Sequence, residues 1–598
     1  MCGITGIIGT PVHEDRIVSM LEKISHRGPD GSDICKLTNA HFGHCRLSII
    51  DLSQAGNQPM CYMGRYTVTF NGEIYNYLEL KDELTELGYL FESRTDTEIL
   101  LAAFDAWGTD MFHRLTGMWA FVLYDAVQKK YLISRDRFGE KPLFYKPSET
   151  YFEFSSEAKS LHDKNFGMAN FNKDYLKEYL KNGALEYNSE TAFEGIFRFP
   201  AAHYFWGTKD ELVQNPKFVK YWSLQFNTSN EKYNHEKALQ HANTYYNLLY
   251  TAVDMRLRAD VKVGSALSGG LDSSSIVYLI NQINKSNNID GKQETFSSVY
   301  QSENTSDCDE SAYIQLLAEQ LSIVSNTIEP KANDIPDELE QFLYIMDNPP
   351  ESTCMSGWHT FKLVNQRNVK VTLDGQGADE LLGGYTHYLV SYLLSLSMPD
   401  FISQAVLFKK KQTLSTKKIV QVSCLKALKY MLGGQALTYL LDKIFGYKIF
   451  DNLNRQLQHD VETNLINLLQ YSDRVSMAFG VESRMPFLDH KLAEFLASLP
   501  ACYKYHDGWS KYIARLAFDG KLPKEICWRT DKMGWPVPEK TWFTGELKPF
   551  LHSTVERSDL LRTLLSKDEL SSNIEEKNIK FLIRYLNVAI LEKLIMKQ

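Results

Sequence analysis

The chain has 598 residues, 44% of them apolar and 23% charged, which is the balance of a soluble globular protein too long for one hydrophobic core. A formal net charge of −9 leaves no electrostatic footprint for nucleic acid, and no stretch approaches the about 18 apolar residues that a membrane helix needs. Nine cysteines over this length make neither a disulfide scaffold nor a paired zinc motif, and Glu14 and Asp15 ahead of Arg16 do not read as a signal peptide, so a reducing, cytoplasmic setting is expected.

Residues 2–205 read as a sheet-rich unit with a few helices. Tyr66-Thr-Val-Thr-Phe70 alternates and meets Asn71-Gly72, a turn signal. Leu80, Leu84 and Leu87 recur at helical spacing until Gly88. Strands are predicted at Met118–Asp125, Tyr131–Ser134, Pro142–Tyr145 and Tyr151–Phe154. The stretch 206–235, with Gly207, Pro216 and several Asn and Lys, reads as a linker.

Residues 236–540 change character. A helix over Ala238–Arg258 precedes a short buried strand, Val261–Leu267, a glycine turn and a helix over Ser273–Ile283. Val369–Leu373 is a second such strand ending in glycines. Strands alternating with helices predict a parallel sheet covered on both faces. Residues 395–465 and the extension 541–598 look helical, with Phe581–Ile595 read as a docking helix. Lys409, Lys410, Lys411, Lys417 and Lys418 form the most basic stretch, read as a solvated face.

Two clusters carry chemistry. Cys2 and Gly3 follow the initiator methionine. With Met1 removed, the free α-amine of Cys2, with a pKa near 8, can act as base for its own thiol. Attack on an amide creates an oxyanion, for which Asn71 and Gly72 offer donors. Arg46 can fork onto a carboxylate, and Glu73 and Asp96 can accept an ammonium. Taken singly, Asn71-Gly72 is a hairpin turn, Asp96 a helix-terminal residue and Arg46 a surface ion-pair partner. The second cluster is Ser268-Gly-Gly-Leu-Asp-Ser-Ser274, a glycine turn between strand and helix. It aims N–H groups at an anion, and Asp272 can hold Mg²⁺. Asp374-Gly-Gln-Gly-Ala-Asp379 follows the second strand and adds Asp379, with Glu380 beside it. Lys511 and Arg515 supply positive charge for a leaving pyrophosphate.

The motifs Met1–Ile7, His26–Gly31, Arg46–Asp51, Gln58–Met60, Asn71–Asn76, Asp136–Tyr145 and Ser156–Lys159 together resemble the class II glutamine amidotransferases. The Ser268 heptad, Asp374–Tyr385, Ser476–Asp489, Gly508–Lys511 and Arg529–Pro538 resemble the synthetase domain of glutamine-dependent asparagine synthetases. The resemblance implies an N-terminal-nucleophile αββα sandwich followed by a doubly wound, ATP-pyrophosphatase-type domain. It implies Cys2 as nucleophile, Asn71 and Gly72 as oxyanion hole, and Arg46, Leu47, Ile49, Glu73 and Asp96 around glutamine. It places ATP on Ala266, Ser268, Gly269, Gly270, Asp272, Ser273, Ser298, Asp374, Gly375 and Lys511, and Mg²⁺ on Asp272 and Asp379. Glutamine, ATP and aspartate are the implied small molecules, with no nucleic acid or membrane partner. A homodimer is the assembly carried forward, though the sequence does not fix it.

The family's glycine-rich block usually opens Ser-Gly-Glu-Gly. Here it reads Asp374-Gly-Gln-Gly377, and Gln376 takes no proton at neutral pH. Asp347–Cys354 also lacks the Ser-Thr-Pro run expected near bound aspartate. Three readings follow: asparagine synthesis; the same amidotransfer on another carboxylate, such as a uronic acid or a metabolite precursor; or a protein keeping only glutaminase or binding activity. The phosphate and magnesium residues speak against the third.

Overall fold

The first 220 positions build two six-stranded antiparallel sheets, whose central strands are buried on both faces and so read as near-continuous apolar runs. In spatial order the first contains Phe197–Arg198, Phe144–Pro147, Tyr151–Ser155, Gly3–Gly9, Ala40–Arg46 and Gly31–Leu37. The second contains Val219–Lys220, His203–Thr208, Lys130–Arg135, Gly117–Asp125, Tyr66–Ile74 and Met60–Tyr62. Their inner faces share one core, in which Ile4, Ile8, Phe42 and Phe154 meet Ala120, Val122 and Ile133. The outer face of the second sheet packs Val68, Phe70, Phe121 and Leu123 on the helices Tyr77–Glu86 and Asp96–Trp107, through Leu80, Leu84 and Ile99–Phe104. Helix Glu14–Glu22 covers the first sheet through Ile17 and Leu21. This is the expected αββα sandwich. The computed structural model describes residues 2–596 apart from 11–13, 164–165, 184, 290, 412–413, 446–447, 532–533, 535, 567–568 and 571–578. Met1 of the first motif, and parts of the Arg529–Pro538 block and of the 541–598 extension, therefore lie outside the described residues.

Two expectations are corrected. Asn71-Gly72 does not end its strand. Asn71 pairs with Ala120 and Gly72 with Trp119, and the strand runs on to Ile74. A Cβ on Gly72 would lie 2.2 Å from the Met118 carbonyl oxygen, so glycine serves close strand packing rather than a turn. The stretch read as a linker also contributes structure up to residue 220. His203–Thr208 pairs with Lys130–Arg135, helix Lys209–Gln214 follows with a Thr208–Glu211 capping box, and Val219–Lys220 closes the sheet edge. Within 206–235, regular structure is absent over 215–218 and 221–234.

The second half is built on a five-stranded parallel sheet in the order Val324–Ile328, Glu294–Ser298, Val263–Ala266, Val371–Leu373, Glu482–Arg484. The chain winds outward in one direction from Val263–Ala266 and then returns to its other side, so the switch point lies between Val263–Ala266 and Val371–Leu373. Both glycine-rich loops leave neighbouring strands there, in register Ser265↔Leu373. Helices Met398–Lys410, Thr416–Leu432 and Gly434–Phe445 form an addition outside this sheet. The C-terminal helix Ile579–Met596 is buried along most of its length, and its Arg584 donates to the Lys181 carbonyl in the first half.

The halves are joined by apolar packing and buried charge. Leu47, Ile49, Tyr75 and Phe138 share a core with second-half residues. Arg27 pairs with Glu157 at 2.9 Å and with Asp473 at 2.9 Å, while Arg474 reaches Glu157 at 2.7 Å and Asp347 at 3.2 Å. All are buried, so removing any one partner strands charge in a low-dielectric setting, at a cost of about 3–5 kcal/mol.

Candidate functional sites

The first site sits where the Gly3–Gly9 and Tyr66–Ile74 strands face one another. The Cys2 backbone N–H donates to Asn71 Oδ1 at 3.1 Å, which fixes the Asn71 amide. Its Nδ2 is buried and has no hydrogen-bond partner. A buried orphan donor beside a thiol is what an oxyanion site needs before substrate arrives. Cys2 Sγ lies 4.0 Å from the Leu47 carbonyl oxygen, and burial pushes the thiol pKa up.

A small cavity at Cys2 is lined by Arg46, Leu47, Ile49, Gly72, Glu73 and Asp96, so the sequence-predicted glutamine residues converge. Asp96 opens helix Asp96–Trp107, and its Oδ2 accepts the Ile74 N–H at 2.8 Å. Burial pushes its pKa to about 6. Burial, and then the nearby Asp96 charge, push Glu73 well above the usual carboxylate range. One Glu73 oxygen, Oε1, is buried without a hydrogen-bond partner. Arg46 is largely buried rather than a surface residue. Its guanidinium donates to the Ser53 carbonyl and Asn57 Oδ1, both at 2.7 Å, and to the Asp51 carbonyl. Glu482, from the second half, completes the lining.

The second site lies at the switch point. Gly270 caps helix Leu271–Ser286, whose first turn holds Asp272 and Ser273. The Ser273 hydroxyl accepts the Ser268 N–H at 3.2 Å and closes the loop on itself. Gly375 lies against the backbone of Asp272 and Ser273, so the two glycine-rich loops touch. Lys511 Nζ is 2.5 Å from Asp272 Oδ2 and 2.5 Å from Asp379 Oδ1. A Cβ on Gly384 would lie 1.6 Å from Asp379 Oδ1 and 2.2 Å from Lys511 Cε, so this clamp requires glycine there. Two carboxylates already converging on one cation suit Mg²⁺, which takes one or two carboxylates together with substrate phosphates. An adjoining cavity of about 200 Å³ is lined by Tyr385, Phe408, Trp509, Lys511, Arg515 and Arg529.

The residues expected to hold nucleotide separate into groups. Ala266 ends the central strand and Asp374 leaves its neighbour. Asp374 is buried, which pushes its pKa to about 6, and it accepts the Ser483 hydroxyl. The Ser298 hydroxyl donates to the Ser356 carbonyl at 2.7 Å, so its side chain is committed to helix Met355–Gln366. Gln376 is half-buried in the turn between Asp374 and Asp379. The Asp347–Cys354 segment does not act as one unit. Asp347 joins the interdomain ion network, whereas Ser352 and Thr353 donate to Glu539 Oε1 at 2.6–2.8 Å.

Sequence reasoning gave no role to Glu482, Arg484 or Glu539. The available signal was the charged Glu482-Ser-Arg484 in a buried strand position, where charge is expensive unless paired.

Residues 1–222 match the glutamine amidotransferase domain family, and residues 244–593 match the asparagine synthase family. The chain is thus a glutamine amidotransferase joined to an ATP-using synthase. It belongs to the asparagine synthetase family. Asparagine synthetase (glutamine-hydrolyzing) 3 of Bacillus subtilis (strain 168) is 30% identical, with 97% of this chain and 94% of that protein covered. Asparagine synthetase (glutamine-hydrolyzing) 1 of the same organism is 28% identical over 93% of this chain and 90% of its own length. Amidase chry2 of Gibberella zeae is 27% identical, over 94% and 92%.

Proposed function

We propose that the chain makes asparagine from aspartate, with glutamine as nitrogen donor and ATP as activator. Cys2, freed of Met1, attacks the glutamine carboxamide. Its α-amine takes the thiol proton, and Asn71 Nδ2 with the Gly72 N–H receives the oxyanion. Collapse breaks the C–N bond, the proton passes from the amine to the departing ammonia, and water then cleaves the glutamyl thioester to glutamate. Glu73 and Asp96 hold the substrate ammonium, and Arg46 its carboxylate. At the second site the Ser268–Ser274 loop cradles the triphosphate, and the aspartate β-carboxylate attacks the α-phosphorus to expel pyrophosphate. Mg²⁺, held by Asp272 and Asp379, would neutralise phosphate charge there. Lys511 and Arg515 then face the departing pyrophosphate. Ammonia attacks the acyl-adenylate, and the carboxamide and AMP leave.

The observation that carries this reading is the Asp272–Lys511–Asp379 clamp at the switch point of the parallel sheet. The test is ATP–pyrophosphate exchange screened across carboxylic acids. Exchange with aspartate supports the proposal, and exchange with another acid alone overturns its acceptor.

A second reading keeps the chemistry and changes the acceptor to another carboxylate, such as a uronic acid. Gln376 favours it, because the family's usual glutamate is missing at one position between otherwise suitable phosphate loops.

A further inference from the structure

The lysine-rich stretch read as a solvated face belongs to two consecutive helices, Met398–Lys410 and Thr416–Leu432, and it is not simply solvated. The first helix buries Phe401, Ala405 and Phe408, yet exposes Met398, Ile402 and Val406 at four-residue spacing, Ile402 by 57% and Val406 by 61%. The second buries Val422 and Lys426. It exposes Val420, Cys424, Ala427 and Met431 at spacings of four, three and four, so one apolar line faces away from the protein. An ordinary surface helix has one apolar stripe, turned inward. These two helices each carry a second one turned outward.

Charge selects the occupant. Residues 397–432 contain seven lysines and one acidic residue, Asp400, in a chain of net charge −9. Lys426 points inward to the Leu393, Leu394 and Leu396 carbonyls, and Lys429 pairs with Asp451 at 3.0 Å. Lys409, Lys410, Lys417 and Lys418 remain exposed beside the apolar lines. A second copy of the chain, meeting this surface about a two-fold axis, would set lysine against lysine. Nucleic acid would answer the charge but leave the apolar lines in water. A bilayer with anionic headgroups answers both, because apolar side chains enter the acyl boundary while lysine ammonium groups stay among the phosphates.

We propose that the surface formed by Met398–Lys410 and Thr416–Leu432 docks on anionic membrane lipid. No helix among the described residues is long and apolar enough to cross a membrane, so the contact lies on the surface of the bilayer. Phe408, from the inner side of the first helix, lines the cavity at Lys511, and Lys411 Nζ lies 4.6 Å from the Trp509 ring. Docking therefore brings the pyrophosphate-side cavity close to the membrane. The inference does not depend on which carboxylate is the acceptor.

The test is co-sedimentation of the full-length protein with vesicles of phosphatidylcholine alone or of phosphatidylcholine mixed with phosphatidylglycerol. Binding is expected only to the mixed vesicles and weakens as salt rises. Replacing Lys417 and Lys418 with Gln should lower affinity by roughly 25-fold, about fivefold per lysine. A Val420→Ser, Met431→Ser double variant should weaken it about tenfold or more. Both variants should retain ammonia-dependent synthesis, which shows that they are folded. Failure of the mixed vesicles to bind at low salt, or unchanged binding by both variants, overturns the proposal. Analytical ultracentrifugation supplies the other decisive result: concentration-dependent self-association abolished by the serine variant would assign the surface to a second copy.

Discussion

Arg484, on the last strand of the parallel sheet, places Nη2 3.3 Å from Oε2 of Glu73 in the cavity at Cys2 in the other half. Its Nε donates to Glu482 Oε1 at 2.6 Å, and Nη1 donates to the carbonyls of Arg256 and Arg258. The next contact reaches the second site, because the Asp374 N–H donates to the Arg484 carbonyl at 2.8 Å. Arg484 thus touches the proposed ammonium-binding carboxylate with its side chain and a proposed nucleotide residue with its backbone. Arg484→Met would take the cation from buried Glu73 and one of the positive charges around buried Glu482. The expected cost is about 3–5 kcal/mol of stability, read as a lower Tm, together with a raised KM for glutamine. Arg484→Lys should recover part of both. An unchanged glutamine KM in Arg484→Met would remove the arginine from substrate positioning.

The first site makes a separable prediction. Cys2→Ala should abolish glutamine-dependent product and leave ammonia-dependent synthesis intact, since only the glutaminase step needs the thiolate. Asn71→Ala should lower glutaminase kcat by about 10²–10³ with a smaller change in KM, because its orphan Nδ2 meets a partner only when the oxyanion forms. Intact mass of the purified protein should show methionine removed. Normal glutamine hydrolysis by the Cys2 variant would refute the nucleophile.

Asp272→Asn and Asp379→Asn address the other end. Each removes a carboxylate charge from the Lys511 clamp, and each should reduce ATP–pyrophosphate exchange by about 10²–10³. Glutamine hydrolysis should persist in both. Exchange at the parent rate in either variant would separate that aspartate from pyrophosphate chemistry.

Both halves were legible where local pattern is strong. Alternation marked the Tyr66–Phe70 strand, a continuous apolar run marked Met118–Asp125, and glycines marked the two loops of the parallel sheet. The errors have local causes. Asn71-Gly72 has turn chemistry, yet its glycine answers a close approach of Met118 across the sheet. Residues 209–220 are mostly polar because they form a short surface helix and an exposed two-residue edge strand, which together look like a linker. Long-range pairings left no such trace. Glu73 and Arg484 are 411 residues apart, and Asp347, read beside an acceptor pocket, lies against Arg474.

Glu140 gives a pH prediction. Burial, with the nearby Asp136 charge, pushes its pKa from the usual carboxyl range to about 8. The folded protein therefore holds this proton more tightly than the unfolded chain. Its contribution to stability is fully present below the unfolded pKa near 4.5 and is lost as pH rises through about 8. Glu140→Gln should flatten that slope, raising Tm at pH 9 relative to the parent and changing it little at pH 4. Parallel Tm–pH profiles for the two proteins would show that Glu140 does not carry the effect.

A substitution at Gln376 tests the proposed acceptor. It stands in the turn between Asp374 and Asp379, where the resembled family usually has glutamate. A glutamine there donates hydrogen bonds and carries no charge, so an anionic acceptor meets less repulsion. If aspartate is the acceptor, protons released during ammonia attack must go to another group, and Gln376→Glu should raise aspartate-dependent turnover or leave it unchanged. If the acceptor is a different acid, the added charge should oppose its binding. One unit charge at ~4 Å and an effective dielectric near 20 amounts to ~4 kcal/mol before screening, enough to be read in KM. Steady-state kinetics of parent and variant with ammonia, ATP and each candidate acid separate the two cases. A parent protein that hydrolyses glutamine and exchanges pyrophosphate with another acid, yet makes no AMP at saturating aspartate, would transfer the assignment to that acid. Its KM for that acid should then rise in Gln376→Glu.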